Sequence, residues 1–306
     1  MHTRDILRTA AAQVISRIPD IRGRGRLAYF ANRLTLPESD SDFTAEVTMR
    51  QGHHMLVDLR ARTQYTSFYT HDYDNEDIRM CLRLLQRDSI VFDVGANVGF
   101  WTVPMAMALR GEGRVHAFEP IPANAKRLRE NVGLNDVGDI VDIHEMGLSD
   151  ETSTVEISLR EDFSNGSDTG NAAIVIDDSD KDFRCTTIKV AALDQIYQSL
   201  ILKRLDFLKV DVEGHEDRFL AGASSVIARF RPVIYMEVNE PYYTRRGLDA
   251  TDLFQSWLDS ADYTCALRGP SGWTPKALRL RRPVIDNVLL LPTEQLKEIL
   301  PRLRKR

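Results

Sequence analysis

The sequence predicts an α/β protein built on a mostly parallel sheet with helices on both faces. Three observations predict it. From Asp77 to Ala261 strand-like and helix-like segments alternate. The strand-like segments SIVFDV, GRVHAF, LDFLKVDV and RPVIYMEV are nearly continuous runs of apolar and β-branched residues, as in strands buried on both faces. With 306 residues, 43% of them apolar, the chain can also bury a sizeable core.

The first forty residues stand apart. RDILRTAAAQVISRI places Ile6, Leu7, Ala10, Ala11, Val14, Ile15 and Ile18 at helical spacing, with Arg4, Arg8 and Arg17 between them. RGRGRLAYFANRL adds Arg22, Arg24, Arg26 and Arg33 before LPESDSD, a polar linker. A basic amphipathic helix can lie on a membrane surface; the reading adopted here is that it docks on its own domain or on a partner subunit. FTAEVTMRQGHHMLVDLR reads as a β-hairpin whose turn, QGHH, carries His53 and His54 into solvent rather than onto a metal.

DIRMCLRLL is a helix, SIVFDV the first core strand, NVGFWTVPMAMALR a helix, and GRVHAF the second strand. ANAKRLRENVGLN is a helix that closes at a Gly/Asn signal, and IVDIHEM is the third strand, followed by TSTVEISL. Residues 161–180, rich in Ser, Asn, Asp and Gly, are expected to contain a long loop. TTIKVAALDQI leads to the fourth strand, LDFLKVDV; EDRFLAGASSVIARF is a helix, RPVIYMEV the fifth strand and LDATDLFQSWLDSA a helix. YTCALR and NVLLLP have no helix between them and predict an antiparallel edge.

Composition narrows the function. A net charge of −5 gives no reason to expect nucleic acid, and the basic clusters RGRGR and PRLRKR lie near the termini rather than along the core. Cys81, Cys185 and Cys265 are few and far apart, which argues against a disulfide framework or zinc cluster and fits a reducing compartment. No apolar run is long enough to cross a bilayer, and the N-terminus lacks the apolar stretch of a secretory signal, so the cytoplasm is the expected location.

VFDVGANVGF has the layout of a strand, a glycine turn and a helix entry, but not the G-x-G-x-x-G of dinucleotide sites. Ligands of open α/β sheets sit at the carboxyl ends of the strands, where this turn falls. Gly95 and Gly99 let the backbone bend, while Asn97 puts a side chain where a pyrophosphate would lie. Asp93 repels phosphate and attracts an ammonium or sulfonium group. A nucleoside with a cationic tail fits, and S-adenosylmethionine has that charge arrangement. Glu119, ending the second strand, stands where a ribose-binding acid is expected, and Pro120 and Ile121 offer an apolar edge for adenine.

DFLKVDVEGHEDRFLAGA is the second informative stretch, with Asp211, Glu213, His215 and Glu216 at a strand-to-helix turn. Methyl transfer to a hydroxyl requires alignment and removal of a proton. His215 is the candidate base by its reference pKa. Asp211 could hold the methionine amine or the acceptor hydroxyl, and Glu213 could orient the acceptor or His215. The alternative is that the Glu213–Glu216 run only caps the next helix. Asp211 and Glu213, with Glu237 or Glu240, could also offer oxygen ligands to a hard divalent ion.

Taken in order, VFDVGANVGFWTVPMA, HAFEPIPANAKRLRENVGLN, GLSD, LDFLKVDVEGHEDRFLAGA, RPVIYMEVNE and DNVLLLP resemble the FkbM family of S-adenosylmethionine-dependent methyltransferases, from about Tyr73 to Pro292. The resemblance implies the class I methyltransferase fold, a Rossmann-like seven-stranded sheet of order 3-2-1-4-5-7-6 with strand 7 antiparallel. It divides the chain into an N-terminal extension of helix and hairpin, 1–72, and a methyltransferase domain, 73–306. It implies O-methylation of a small-molecule hydroxyl acceptor such as a sugar, glycolipid or polyketide-type compound. Carried across by motif, Asp93, Gly95, Asn97 and Gly99 would line the methionine side, Glu119 would take the ribose, and Asp211, Glu213 and Gly214 would match the family's D-x-E-G turn. The position of His215 varies within that pattern. The N-terminal helical region and the Asn165–Asn171 loop match no part of it and are where acceptor specificity is expected. The rival reading is a dinucleotide-dependent oxidoreductase, against which Asp93 and Asn97 argue; a non-catalytic module and a nucleic-acid methyltransferase fit less of the pattern.

Overall fold

The computed structural model describes residues 3–36, 43–167, 169–269, 272–278 and 285–304. From residue 37 on, the expected polar linker lies outside the described residues, as do Asp168 of the 165–171 loop and the last two residues of PRLRKR.

Helices α1 (Thr3–Ser16) and α2 (Arg24–Thr35) open the chain, followed by the antiparallel hairpin β1 (Thr44–Thr48) and β2 (His54–Asp58) and helix α3 (Arg62–Thr70). Ala12, Ile15, Ala28, Met55, Val57 and Tyr69 are buried in one hydrophobic cluster with the sheet residues Val91, Val115 and Phe207. The basic helix therefore docks on its own chain through a narrow stripe. Arg24 is buried with it; its guanidinium donates to the Thr70 carbonyl and meets the Asp72 carboxylate at 3.2 Å. The hairpin's free edge is satisfied without a third strand. Asn131 and Asn135 bond the backbone of Leu56 and His54, each accepting from the N–H and donating to the C=O. The expectation for His53 is corrected: it is 1% exposed with both ring nitrogens unpartnered, and burial lowers its pKa to about 4. Its neighbour His54 begins β2 and reaches Glu46.

The main sheet takes β3 (Ile90–Val94), β4 (Arg114–Phe118), β5 (Val141–His144), β10 (Phe207–Val210), β11 (Val233–Asn239), β12 (Tyr263–Gly269), β13 (Gly272–Pro275) and β14 (Ile285–Pro292). Its order is β13-β12-β14-β11-β10-β3-β4-β5, with β5, β4, β3, β10 and β11 parallel to their neighbours in that run and β14 antiparallel to both β11 and β12. Eight strands replace the seven expected. The additional one is β13, which reverses after Gly269 to pair with β12 and buries Trp273 at 2% exposure. Successive residues of β3 and β10 feed opposite faces: Val91 and Phe207 one core, Phe92, Val94, Leu208 and Val210 the other.

Helices α4 (Asn75–Leu82), α5 (Thr102–Leu109) and α6 (Pro122–Leu134) accompany the first strands, and α8 (Leu193–Ile196), α9 (Glu216–Gly222), α10 (Ser224–Phe230), α11 (Glu240–Arg245), α12 (Ala250–Ala261) and α13 (Leu296–Arg302) follow. Local chemistry starts and stops them. Pro122 opens α6 at a position that needs no N–H, and the Asp249 carboxylate caps the Thr251 and Asp252 N–H groups of α12. Between β5 and β10 the chain builds a second sheet, β6-β9-β7-β8, from β6 (Gly147–Ser149), β7 (Ser153–Leu159), β8 (Ala172–Ile174) and β9 (Cys185–Ala192). The long loop expected over 161–180 is thus broken by helix α7 (Glu161–Ser164), by β8 and by a 3-10 turn at Asp178–Asp182. The Asp177 carboxylate caps that turn, and Arg245 clamps it through Asp177 and Asp180. Among the described residues no helix is long and apolar enough to cross a membrane.

Arg24→Met removes the donor that ties α2 to the end of α3. It is expected to lower unfolding stability by about 2 kcal/mol, since the Thr70 carbonyl and Asp72 lose a buried partner while Asp72 keeps Arg50 nearby. Denaturant unfolding measures this; an unchanged midpoint would show that apolar contacts alone hold the N-terminal helices.

Candidate active site

The carboxyl ends of β3, β4, β10 and β11 converge on a cavity of about 390 Å³. The turn after β3 forms its floor. Gly95 and Ala96 both donate to the Phe118 carbonyl, and Asp211 donates to the Val94 carbonyl, so the turn is pinned between β4 and β10. Gly95 has φ 79°, and a Cβ there would lie 1.8 Å from the Asp211 carbonyl oxygen. Only glycine allows the two strand-end turns to approach so closely.

Asp93 and Lys209 face each other across the β3–β10 register. Asp93 is fully buried; Oδ2 accepts from the Thr102 hydroxyl at 2.6 Å, and Oδ1 lies 3.4 Å from the Lys209 ammonium. Lys209, 4% exposed, donates to the Gly95 carbonyl at 2.8 Å and reaches Asp211 at 3.5 Å. Burial opposes its charge, but Asp211, Asp93 and Glu237 outweigh that penalty and raise its pKa. The cation that Asp93 meets is therefore one of the protein's own. Asp93 and Gly99 are absent from the cavity wall, contrary to expectation, while Gly95, Asn97, Glu119, Pro120, Asp211, Glu213 and His215 line it together. At Gly99 a Cβ would stand 2.7 Å from the Leu128 side chain, so that glycine serves helix packing.

Glu119 is 4% exposed and accepts from the backbone N–H groups of Asn97 (2.8 Å) and Ile121 (2.9 Å) and from the Asn124 amide (3.3 Å). Burial pushes its carboxyl up to about 7 against the lowering effect of these donors. Beside it Pro120, Ile121, Leu148, Ile157, Ile188 and Val190 make an apolar end, the last four contributed by the second sheet and its flanks. Asn97, at φ 49°, uses Oδ1 to accept from the Val98 N–H and Nδ2 to donate to Asn171.

The opposite end is acidic. Carboxylate oxygens of Asp211, Glu213 and Glu237 lie within 4.8 Å of one another. Burial first, then neighbouring carboxylates, hold Glu213 and Glu237 well above the usual carboxylate range. Glu216, buried beneath, accepts from the Val212 and Gly214 N–H groups and the Tyr243 hydroxyl, so it fixes the turn that presents Glu213. The capping role considered for the run is not what its side chains do: the N-cap His215 makes no side-chain capping bond to α9, and Glu216 braces the turn ahead of the helix. His215 Nε2 lies 2.8 Å from the Ser149 hydroxyl, and burial lowers its pKa to about 4. Three converging carboxylates fit a hard divalent ion, which takes six or more oxygens and would complete its shell with water and acceptor hydroxyls. Glu240 is outside the group and accepts from Thr244 instead.

Sequence reasoning missed Lys209 and Asn171. A lone lysine inside FLKV was the available signal for the first. For Asn171 the only signal was its place at the end of the Asn165–Asn171 loop; its partners are supplied by the fold. Its amide spans the cavity, accepting from Asn97 and donating to Glu213. Residues beside it are anchored through Gly170 to Asn124, Thr169 to Gln64 and Ser167 to Asp58. Thr63, Tyr73, Asp74 and Asn171 also line a second, wider cleft with Arg26, Tyr29, Arg62, Tyr65 and Arg160, so the N-terminal segment walls the approach.

Lys209→Met strands Asp93 without a counter-charge and is expected to cost about 3 kcal/mol or more of stability. Thermal and denaturant unfolding read it; a neutral result would remove Lys209 as the turn's anchor.

Residues 93–265 match the family model described as the methyltransferase FkbM domain, more than half of the chain. AmbE, an antimetabolite synthetase of Pseudomonas aeruginosa, is 26% identical over 239 residues, 66% of this chain and 11% of that protein. The hexuronic acid methyltransferase AglP of Haloferax volcanii is 27% identical over 161 residues, 53% of this chain and 61% of that protein. The chain thus spans about a tenth of the first relative and 61% of the second. A crystal structure of an FkbM methyltransferase from Methylobacillus flagellatus is 21% identical, with 75% of this chain and 53% of that chain covered and a TM-score of 0.44. By the family match and the sheet that carries it, this chain belongs to the FkbM methyltransferase domain family.

Proposed function

We propose that the protein transfers a methyl group from S-adenosylmethionine to a hydroxyl of a small polyhydroxylated acceptor, most simply a sugar or sugar-bearing compound. The observation that carries this reading is the two-ended cavity: Glu119 and an apolar wall at one end, a carboxylate cluster at the other. A nucleoside with a cationic tail has that polarity and a pyrophosphate does not, which disfavours a dinucleotide oxidoreductase. The resemblance to AglP supports a carbohydrate acceptor, as does the polar, tyrosine- and arginine-lined cleft that meets the cavity at Tyr73 and Asn171.

S-adenosylmethionine supplies a methyl group on a sulfonium; the acceptor oxygen forms the new C–O bond as the S–C electron pair returns to sulfur. The chain's own residues position and deprotonate. Glu119 accepts the ribose hydroxyls, Pro120 and Ile121 face the adenine, and the backbone of Gly95–Asn97 with Asp211 borders the methionine. Asp93, shut away beneath them, sets the turn through Lys209. Glu213 takes the acceptor's proton: its raised pKa suits that task, whereas His215, lowered to about 4, is a weak base. His215, its ring held by Ser149, then orients the acceptor. If a divalent ion occupies Asp211, Glu213 and Glu237, it would polarise the same hydroxyl.

Labelled-methyl transfer from S-adenosylmethionine to a panel of monosaccharides, uronic acids and glycosides tests the reading, with no turnover on any hydroxyl acceptor as the adverse result. Glu119→Gln should weaken S-adenosylhomocysteine binding by about 1–3 kcal/mol in calorimetry. The carboxylate is the better acceptor, so wild-type affinity should fall as pH drops through about 7 and Glu119→Gln should flatten that dependence. Equal affinity at all pH values would move the ribose elsewhere. For Glu213 the ionised form is the active one, so kcat/KM should rise with pH through a limb displaced above the ordinary carboxylate range, and Glu213→Gln should abolish it. Activity that survives EDTA unchanged would exclude the metal and leave Glu213 as base alone.

A further inference from the structure

We infer that α1 and α2 form a docking face for an anionic lipid surface. Eight of the ten large apolar side chains left exposed among the described residues lie between Ile6 and Leu34. They are ordered by helix geometry. In α2, Leu27, Phe30 and Leu34 follow i, i+3, i+7 spacing and are 47%, 57% and 80% exposed, while Ala28, Asn32 and Thr35 turn the opposite side into the protein. In α1, Leu7 and Val14 stand one heptad apart at 55% and 64% exposure, with Ile6 beside them, and Arg8, Ala12 and Ile15 are buried behind. The stripe that docks on the domain is thus already used, and a second apolar stripe points away from it.

Charge identifies the occupant. Residues 3–36 hold seven arginines against two aspartates, in a chain whose net charge is −5. Arg17, Arg22, Arg26 and Arg33 are exposed, and on the α2 wheel Arg26 and Arg33 flank Phe30 and Leu34. Of the two aspartates, Asp5 is engaged by Arg8. Apolar residues rimmed by arginines suit the headgroup region of an anionic bilayer, where the side chains sink and the guanidiniums meet phosphate. A second copy of the chain fits poorly, because a two-fold contact would set arginines against arginines. The position also suits the molecule: Arg26 and Tyr29 of the same helix line the cleft leading to the cavity, so a docked protein opens that cleft beside the lipid.

Flotation with phosphatidylcholine vesicles, with and without phosphatidylglycerol, tests this independently of methyl transfer. The full chain should float with the anionic vesicles, lose binding as NaCl is raised, and ignore the neutral ones. Phe30→Glu/Leu34→Glu and, separately, Arg22→Glu/Arg33→Glu should each weaken partitioning by roughly tenfold or more. All four residues are exposed, so melting temperatures should match the wild type; should one pair unfold, the other decides. Absence of flotation, or flotation undiminished in a folded variant, overturns the inference. So does light scattering that finds a wild-type dimer split by Phe30→Glu/Leu34→Glu, which would assign the face to a second copy.

Discussion

One buried ammonium holds the centre of this molecule. Lys209 sits in the middle of the sheet with Asp93 opposite it, Asp211 above and the Gly95 carbonyl within hydrogen-bond reach. A lone charge at that depth would be prohibitively costly, and so would a lone Asp93. Together they neutralise each other and fix the distance between the turns after β3 and β10. Gly95 then becomes obligatory, because the turns pass too closely for a Cβ. The position of every group on the cavity floor follows from that contact.

Around this fixed centre the walls come from elements that sequence order keeps apart. The second sheet supplies the apolar side facing Glu119, and Asn171 from its margin bridges Asn97 to Glu213. The hairpin and α3 hold that margin through Asp58 and Gln64, and Asn131 and Asn135 hold the hairpin on α6. The N-terminal segment is accordingly part of the site's architecture and shares a core with the sheet. Its helices have two apolar stripes, one consumed by that core and one facing outward among arginines, so a single segment can shape the cleft and decide where the cleft is presented.

The electrostatics of the two cavity ends differ in kind. At Glu119 a single carboxylate is desolvated yet supported by two backbone N–H groups, which leaves it poised near neutrality. At the other end burial and then neighbouring carboxylates, Asp211 foremost, disfavour the charge of Glu213 and Glu237, and a proton, a ligand cation or a metal ion would each relieve the repulsion. That cluster favours a positively charged visitor whatever its identity.

The alternation of strands and helices, the antiparallel edge, the family resemblance and the polar strand-end residues of the cavity were legible in the sequence, because buried strands and strand-end turns carry local signatures. Gly95, Asn97, Glu119, Pro120, Asp211, Glu213 and His215 each lie in such a stretch. What local pattern could not carry was direction and partnership. Asp93 was read as facing a ligand's cation and instead faces Lys209, since cross-strand register, not spacing along the chain, selects its neighbour. His53 looked like a turn residue in solvent and is buried by a hairpin that packs on α6. Of the second sheet, β8 was hidden in the polar interval, and β6 and β7 find their partner β9 only across a long separation. By itself the sequence determined which chemistries were available and at which edge of the sheet they would gather. The tertiary structure decided which carboxylates were spent on neutralising the protein's own lysine and which were left to meet a ligand, because burial and cross-strand contact, which no local window contains, set the cost of each charge.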